Sequence, residues 1–469
     1  MTAELCFLPA TELVARYRAK TLSPVEVTSA VFRRIEALNP KLNAYCLVDV
    51  DGAMAAARAS EARWTKGAPS GPVDGVPTSI KDLVLARGWP TLRGSRTIDP
   101  AGPWNDDAPA TARLRESGAV LLGKTCTPEY GWKGVTDSPL TGITRNPWNL
   151  DRTPGGSSGG ASAQVAAGLG QLAVGTDGGG SIRIPCGFAG ISGIKANFGR
   201  VPAWPLSPMG TVAHVGPMAR TIADCALMLN ALARPDARDW YALPHDGTDW
   251  TKGLDAGAKG LRIAYSPRLG YVKHVHPEVE ARVGDAVKQL AGLGATVDQV
   301  DPGFADCSET FRVHWTAGAY NALRRLPEEK LALVEAPLRR WFDAGSRWSL
   351  EQYLDAVGAR QALGEHMHRF HEKWDLLATP ALPGPAFEVG RVVPSGGYYA
   401  DPDDWTAWTP FSYPFNLTQQ PALSVPCGFT ADGLPVGLQL VAPQYREDLC
   451  LRAAHAFQQA TDHLRRPPV

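Results

Sequence analysis

Residues 155–186 read GGSSGGASAQVAAGLGQLAVGTDGGGSIRIPC, and this stretch is predicted to bring two serines together. Two glycine-serine clusters flank an alanine-rich segment, 161–167, that favours a helix and an apolar segment, 172–174, that favours a strand. About ten helical residues lead outward by roughly 15 Å. About five extended residues return by roughly 16 Å. Ser157 and Ser181 are therefore predicted to lie side by side.

The three glycines before Ser181 allow a sharp turn that presents successive backbone N–H groups to one cavity. Such a cradle, made here by Gly178, Gly179 and Gly180, can stabilise the oxyanion that forms when a serine attacks a carbonyl carbon. The alternatives are an ordinary loop, which is the commoner use of such a cluster, and a phosphate cradle. The phosphate cradle is disfavoured because no Gly-Lys-Ser/Thr follows.

The pattern Gly-x-Ser-x-Gly at 155–159 also matches the nucleophile elbow of α/β-hydrolases, in which Ser157 would be the nucleophile. That elbow needs a buried strand directly before it. Residues 146–154, NPWNLDRTP, have the composition of a loop instead. The elbow is therefore the less favoured interpretation.

A serine nucleophile needs a neighbouring proton acceptor, and a lysine stands out more than any histidine. Lys81 lies in GVPTSIKD, residues 75–82, where an apolar setting can lower its proton affinity enough to make it a base. The alternative is a surface lysine paired with Asp82. His214 is the one histidine that closely follows the glycine segment, and nothing in its surroundings marks it as a base.

Three blocks, in this order and spacing, resemble the amidase signature family. They are GVPTSIKD at 75–82, GGSSGG at 155–160 and GTDGGGSIRIP at 175–185. Flanking matches are GKT and PE within 123–129, NPW at 146–148, and PFN and SVP within 414–426. The resemblance covers nearly the whole chain and is weakest from 240 to 410. It implies an α/β fold in one large domain, 1–469, with a mixed central sheet flanked by helices.

The resemblance also implies a triad of a lysine, a bridging serine held by a cis peptide bond and a second serine. Carried onto this sequence, Lys81 is the base, Ser157 is the bridging serine and Ser181 is the nucleophile. The Gly156–Ser157 bond would then be cis. The amides of residues 178–181 would form the oxyanion hole.

Four polar neighbours are expected to support this triad. Ser158 and Thr176 would orient the lysine or the proton relay, and Asp177 with Arg183 would form an ion pair beneath the loop. One departure from the family is Cys126, which stands where the family commonly has asparagine and is expected to be buried. No cofactor and no metal are implied.

The remaining chain alternates helix-like and strand-like segments, which independently favours an α/β sheet covered by helices. The predicted helices are 24–38 (N-capped by Ser23 and ended by Asn39-Pro40), 108–117, 277–293 and 447–460. The predicted strands are 119–122, 261–265, 296–300 and 376–378, followed by a hairpin of 423–428 and 436–441. The segment 60–240 is expected to carry the catalytic core.

A variable substrate-binding region is expected over about 306–415. This region contains six clustered aromatic residues: Tyr398, Tyr399, Trp405, Trp408, Phe411 and Tyr413. If they line the pocket rather than the core, an apolar or aryl amide, anilide or carbamate is favoured. Two other functions stay open. One is the A-type subunit of a glutamine-dependent amidotransferase, and the other is a non-enzymatic binding module on the same fold.

Composition excludes several partners. Lysine plus arginine equals aspartate plus glutamate at 47 each, so no net charge attracts nucleic acid or an anionic membrane. The eight cysteines form no Cys-x-x-Cys pair. Of His366, His368 and His371, only the last two share a helical face, which disfavours a metal site. We expect a cytoplasmic monomer or homodimer acting on a small molecule.

Overall fold

One large mixed sheet runs through the computed structural model, which describes residues 2–469. The strands are β1 (Tyr45–Val48), β2 (Pro77–Lys81), β3 (Val120–Thr125), β4 (Asp137–Ser138), β5 (Gly142–Ile143), β6 (Leu172–Asp177), β7 (Ser192–Lys195), β8 (His214–Ala219), β9 (Arg262–Tyr265), β10 (Thr296–Gln299), β11 (Leu376–Pro380), β12 (Ala422–Phe429) and β13 (Pro435–Val441). Within the described chain, eleven of them form one sheet in the order β1-β3-β2-β6-β8-β7-β12-β13-β11-β9-β10. Strands β4 and β5 pair separately.

Helices cover this sheet. They are α1 (Thr2–Leu5), α2 (Ala10–Arg18), α3 (Pro24–Leu42), α4 (Val50–Thr65), α5 (Pro109–Glu116), α6 (Gly159–Ala166), α7 (Arg183–Ala189), α8 (Ile222–Leu232), α9 (Pro277–Gly292), α10 (Ser308–Leu323), α11 (Glu328–Leu331), α12 (Ala336–Gly345), α13 (Leu350–Lys373), α14 (Pro414–Leu417) and α15 (Glu447–Gln459). The predicted single α/β domain with a mixed sheet is confirmed. In the described residues, no helix has the length and apolar character needed to cross a bilayer.

The centre of the sheet positions the site. Strand β2 pairs in parallel with both β3 and β6, and all five of its residues are buried. Because parallel strands end at the same edge of a sheet, Lys81 at the end of β2 lies at the same edge as Asp177 at the end of β6. Helix α6 begins at this edge, at Gly159 within the first glycine-serine cluster.

The predicted helix over 24–38 is present, but its predicted end is wrong. A capping box links Ser23 and Glu26, as the sequence indicates. The helix then runs through Pro40 and ends at Leu42, with Asn43 in the left-handed region at φ 51°. Pro40 lacks the N–H that would close one bond of the last turn, and the helix continues past it. The Asn39 side chain accepts from the amides of residues 44 and 45, which satisfies two donors just beyond the helix end.

The predicted C-terminal hairpin is also present. Strands β12 and β13 pair antiparallel over most of their length. Gly433 in the connecting turn has φ 76°, a conformation that glycine adopts without steric cost. Strand β12 also pairs with β7, so the hairpin joins the catalytic half of the sheet to β11, β9 and β10.

Candidate active site

Lys81 is completely buried and lies behind Ser157 and Thr176, two residues that line a cavity. Its Nζ atom is 2.7 Å from Ser157 Oγ, 2.8 Å from Ser158 Oγ and 2.9 Å from Thr176 Oγ1. The alternative of a surface lysine paired with Asp82 is wrong, because Asp82 forms its ion pair with Lys124 at 3.7 Å instead. Three hydroxyls and no carboxylate thus contact the amine.

The environment of Lys81 favours its neutral form. Burial lowers the pKa of Lys81 well below its usual value, and the charge of Asp177 opposes this shift only in part. A neutral amine has two N–H donors and one lone pair. The Ser158 hydroxyl donates to the Thr176 carbonyl at 3.2 Å, so its oxygen is an acceptor for Nζ. Ser157 is therefore free to donate its proton to the lone pair.

Ser157 occupies the position between the lysine and the cavity. The Gly156–Ser157 peptide bond is cis, and Ser157 lines the cavity wall. Gly131 approaches it from the other side, since a Cβ on Gly131 would lie 3.3 Å from Ser157 Oγ and 2.6 Å from Leu83 Cδ1. Gly131 has φ 72°, so both the space and the backbone conformation require glycine.

Ser181 lies against the same cavity as Ser157, as the geometry of the helix and strand between them predicts. The Ser158 amide donates to the Ser181 carbonyl at 3.3 Å, which joins the two serine-bearing segments directly. Ser181 is 3% exposed, and that exposure is toward the cavity that it lines.

The glycine loop differs from the expectation at one amide. Gly180 N–H donates to Asp177 Oδ1 at 2.8 Å, so this amide is not free to bind an oxyanion. Among the described residues, the amides of Gly178, Gly179 and Ser181 have no acceptor, and Gly178 and Ser181 line the cavity. The loop is tightly enclosed, because a Cβ on Gly180, at φ 123°, would lie 2.5 Å from a side-chain hydroxyl oxygen of residue 412.

An ion pair holds the loop from beneath. Arg183 donates from Nη2 to Asp177 Oδ1 at 2.9 Å and from Nε to Oδ2 at 3.0 Å, and both side chains are fully buried. Burial alone would raise the pKa of Asp177, but Arg183 keeps that pKa below its usual range. Arg183 also donates to Ser412 O, Gln439 Oε1 and Asn416 Oδ1, so its three remaining N–H groups are paired.

The six clustered aromatic residues do not line this cavity, so of the two alternatives, wall or core, the wall is wrong. Trp405, Trp408, Phe411 and Tyr413 are almost fully buried, and Tyr398 is 65% exposed. Trp405 supports the glycine loop from behind, since a Cβ on residue 179 would lie 2.7 Å from its ring. The buried members of this aromatic cluster pack near the second glycine block but not on the side that faces the cavity. Residue type alone does not reveal on which side of the block they pack.

The cavity wall comes mainly from residues that the sequence analysis did not single out. The cavity has an empty volume of about 1000 Å³, part of it open to solvent. Residues 202–209, PAWPLSPM, contribute every member to its wall, and Leu83, Arg93, Tyr130 and Trp315 add to it. Trp315 is the one wall residue from 306–415 in the described chain. Three prolines within 202–209 indicate a loop, but no pattern indicates where that loop lies.

The other sequence candidates lie outside the relay. Burial lowers the pKa of His214 well below its usual value, and its Nδ1 is 2.9 Å from the Val212 carbonyl, so the ring is neutral and bound to main chain. Cys126 is fully buried, and its carbonyl accepts from the Gly160 amide at the start of α6. His371 contacts the carbonyl of residue 374 and the side chain of residue 420. Across residues 2–469, no group of three or more His, Cys, Asp or Glu side chains is arranged to hold a metal.

Known proteins share both the sequence and this architecture. An acylamidase from Rhodococcus erythropolis is 38% identical over 458 residues, which cover 97% of this chain and 95% of that protein. The A subunit of glutamyl-tRNA(Gln) amidotransferase from Myxococcus xanthus is 35% identical over 494 residues, which cover 99% of each chain. A bacterial aryl acylamidase of the amidase signature family has a TM-score of 0.89 at 33% identity, covering 97% of this chain and 96% of that chain.

A second solved structure, 6-aminohexanoate cyclic dimer hydrolase, has a TM-score of 0.89 at 29% identity and covers 99% of both chains. A family model described as Amidase matches residues 26–451, which is most of the chain. The match extends from α3 to α15 and therefore includes the whole sheet and the buried lysine–serine cluster. This chain belongs to the amidase family, and it is a hydrolase of carbon–nitrogen amide bonds.

Proposed function

We propose that this protein hydrolyses small carboxylic amides through an acyl-enzyme on Ser181, with Ser157 and Lys81 as the proton relay. The observation that carries the proposal is the 2.7 Å contact between Lys81 Nζ and Ser157 Oγ inside a cavity that Ser181 also lines. A lysine without its proton, next to a hydroxyl that can donate to it, supplies the base that a serine nucleophile needs.

In the first half of the reaction, neutral Lys81 accepts the proton of Ser157 as Ser157 accepts that of Ser181. Ser181 Oγ then bonds to the substrate carbonyl carbon, and the carbonyl oxygen becomes an oxyanion. The free amides of Gly178, Gly179 and Ser181 would donate to this oxyanion. Ser157 returns a proton to the departing nitrogen as the carbon–nitrogen bond breaks, since an amine leaves poorly without one.

Water completes the reaction through the same relay, taking the place of Ser181 as the group that gives up its proton. It loses a proton to Ser157 and attacks the ester carbonyl, and Ser181 leaves with a proton returned by the relay. The products are a carboxylic acid and an amine. Ser158 and Thr176 would hold Nζ in line during both halves, because their hydroxyls fix two of its three contacts.

The wall of the cavity supports an apolar or aryl group on the substrate. Leu83, Trp204, Met209, Val215 and Trp315 present aliphatic and aromatic surface next to the serines. The acylamidase and aryl acylamidase relatives agree with such a substrate, since their names describe the acylated amines on which they act. Anilides and aryl carbamates are therefore the substrates to test first.

Glutamine hydrolysis is the second candidate, because the A subunit of an amidotransferase matches this chain at 35% identity. Free glutamine carries an ammonium group as well as a carboxylate. No aspartate or glutamate lies among the described residues of the cavity wall, so that ammonium would have no charged partner there. The wall thus favours the anilide over glutamine.

The test is hydrolysis of butyranilide and of glutamine by the wild-type protein and by Ser181→Ala, with Ser346→Ala as the control. Ser346 is exposed and outside the cavity. We expect release of aniline from wild type and Ser346→Ala, and a loss of at least about 10⁴-fold in Ser181→Ala. Release of ammonia from glutamine without release of aniline would contradict the proposal. So would unchanged aniline release by Ser181→Ala.

A further inference from the structure

Arg93 stands out on the cavity wall because it is the one formally charged side chain among the wall residues in the described chain. Its neighbours there are apolar or neutral, and the neutral ring of His214 adds no charge. Arg93 is half-buried, and its guanidinium makes no ion pair or hydrogen bond with any described residue. An unpaired arginine beside an apolar cavity is a ready partner for an anion.

The acid that contacts the backbone of this turn, Asp82, is already paired. Asp82 accepts the amides of Leu92 and Gly94 at 3.2 and 3.3 Å, and it lies 3.7 Å from Lys124 Nζ. Its carboxylate therefore holds the backbone on both sides of Arg93 and has its own cation. This leaves the positive charge of Arg93 without a counter-ion from the protein.

The turn that carries Arg93 is held in an unusual conformation. Arg93 has φ 55°, in the left-handed region that residues other than glycine seldom adopt. Its carbonyl accepts from the Tyr130 amide at 2.8 Å, and Tyr130 has φ 51°. The Tyr130 hydroxyl bonds Thr97 Oγ1 at 2.5 Å, which ties this turn to the next segment. Strained, well-anchored residues of this kind concentrate at ligand-binding sites.

These contacts also indicate which end of the substrate Arg93 faces. Tyr130, whose amide binds the Arg93 carbonyl, is followed by Gly131, and a Cβ there would lie 3.3 Å from Ser157 Oγ. The backbone of Arg93 is therefore on the Ser157 side of the cavity, and its side chain lines the cavity from there. In the proposed reaction, Ser157 protonates the departing nitrogen, so the amine part of the substrate lies on this side.

We infer that Arg93 binds a carboxylate on the amine part of the substrate, so that the preferred substrates are N-acylated amino acids or aminobenzoates with an apolar acyl group. This inference rests on the proposed amide hydrolysis and narrows its substrate class. A guanidinium binds a carboxylate through two parallel N–H···O bonds, which gives direction as well as affinity.

The experiment compares matched substrates with and without the charge. They are 4-butyramidobenzoate and its neutral analogue 4-butyramidobenzamide, with released amine measured by chromatography. For the wild-type protein we expect kcat/KM to be about 10- to 100-fold higher for the carboxylate, mainly through a lower KM. Arg93→Gln should reduce this ratio to about one, and Arg93→Lys should restore part of it.

Arg96→Gln is the matched control, because Arg96 is exposed three residues away and does not line the cavity. It should keep the wild-type ratio. A third pair, glutaric acid monoanilide and pentananilide, carries the charge on the acyl side and should show no dependence on Arg93.

Equal kcat/KM for the two benzoate-series substrates in the wild-type protein would overturn the inference without any variant. A wild-type ratio retained in Arg93→Gln, or an Arg93 dependence confined to the glutaryl pair, would overturn it as well. In each case hydrolysis of the neutral amides leaves the proposed function intact. Absence of hydrolysis of every amide by the wild-type protein would instead contradict the proposed function.

Discussion

The floor beneath the cavity consists of Ser157, Thr176 and Ser181, which line it, and of Lys81 and Ser158 behind them. It is built differently from the wall segment, residues 202–209. On the floor, the lysine is fully buried and its amine contacts three hydroxyls within 2.9 Å. In the wall segment, Leu206 is 52% exposed, and the Trp204 ring packs against Arg238, whose guanidinium carbon is 4.7 Å from the ring centroid. This difference indicates that the floor residues determine which reaction is catalysed, whereas the composition of the wall can differ according to the substrate that binds.

Among the variants that compare the floor with the wall, replacement of Lys81 should cause the largest loss of activity. In Lys81→Met the side chain remains apolar and of similar length, but the base is lost, so kcat/KM for butyranilide should fall by about 10²- to 10⁴-fold. Lys288→Met, which removes an exposed lysine, is the control and should leave kcat/KM unchanged. A loss in Lys81→Met no larger than that in Lys288→Met would show that the floor does not supply the base.

The buried ion pair beneath the floor should dominate stability. Arg183→Leu leaves the Asp177 carboxylate buried without its partner, so the free energy of unfolding should fall by about 3–5 kcal/mol. The control is Arg369→Leu, which breaks an exposed pair with Glu365 and should cost less than about 1 kcal/mol. Urea unfolding followed by tryptophan fluorescence measures both. Equal losses in the two variants would refute the special role of the buried pair.

A wall residue should affect substrate binding rather than chemistry. In Trp204→Ala the aromatic contact with an aryl substrate is lost, so KM for butyranilide should rise by about tenfold with kcat nearly unchanged. Trp240→Ala is the control, because Trp240 is 78% exposed and lies outside the cavity. A fall in kcat without a rise in KM would show instead that Trp204 contributes to the chemical step, as the floor residues do.

Thr176→Val should give the smallest loss and a shift in pH dependence. Activity requires neutral Lys81, so kcat/KM should rise with pH through the Lys81 pKa, which burial places well below its usual 10.5. The Thr176 hydroxyl accepts from Nζ and favours the charged amine, so its removal should move this rise to lower pH and reduce kcat/KM by about fivefold. Thr28→Val, at a buried hydroxyl without a partner among the described residues, should change neither.

The floor is largely predictable from the sequence, because most of its residues are close together in the chain. Ser157 and Ser181 are brought together by one helix and one strand whose lengths can be read directly from the sequence. Lys81 lies 76 residues before Ser157 in the chain. Only the resemblance of three blocks assigns it to the same site. Strand β2, which carries Lys81, has no clear strand signal, because PTSIK is short and opens with proline.

The wall is not predictable in the same way, because it depends on how distant loops pack. Residues 202–209 lie beyond the second glycine block in sequence, and their proline content predicts a loop without predicting what it covers. The clustering of Trp405 with other aromatic residues favours a pocket wall, whereas its ring packs behind the glycine loop. The bond from the Gly180 amide to Asp177 likewise depends on a turn geometry that glycine permits but does not specify.

The most direct test of the relay is the site of covalent modification by a fluorophosphonate, located by peptide mass spectrometry. The account predicts one adduct, on Ser181, which forms much more slowly in Lys81→Met and is absent in Ser181→Ala. An adduct on Ser157 with Ser181 unmodified would contradict the account and support the nucleophile-elbow arrangement instead.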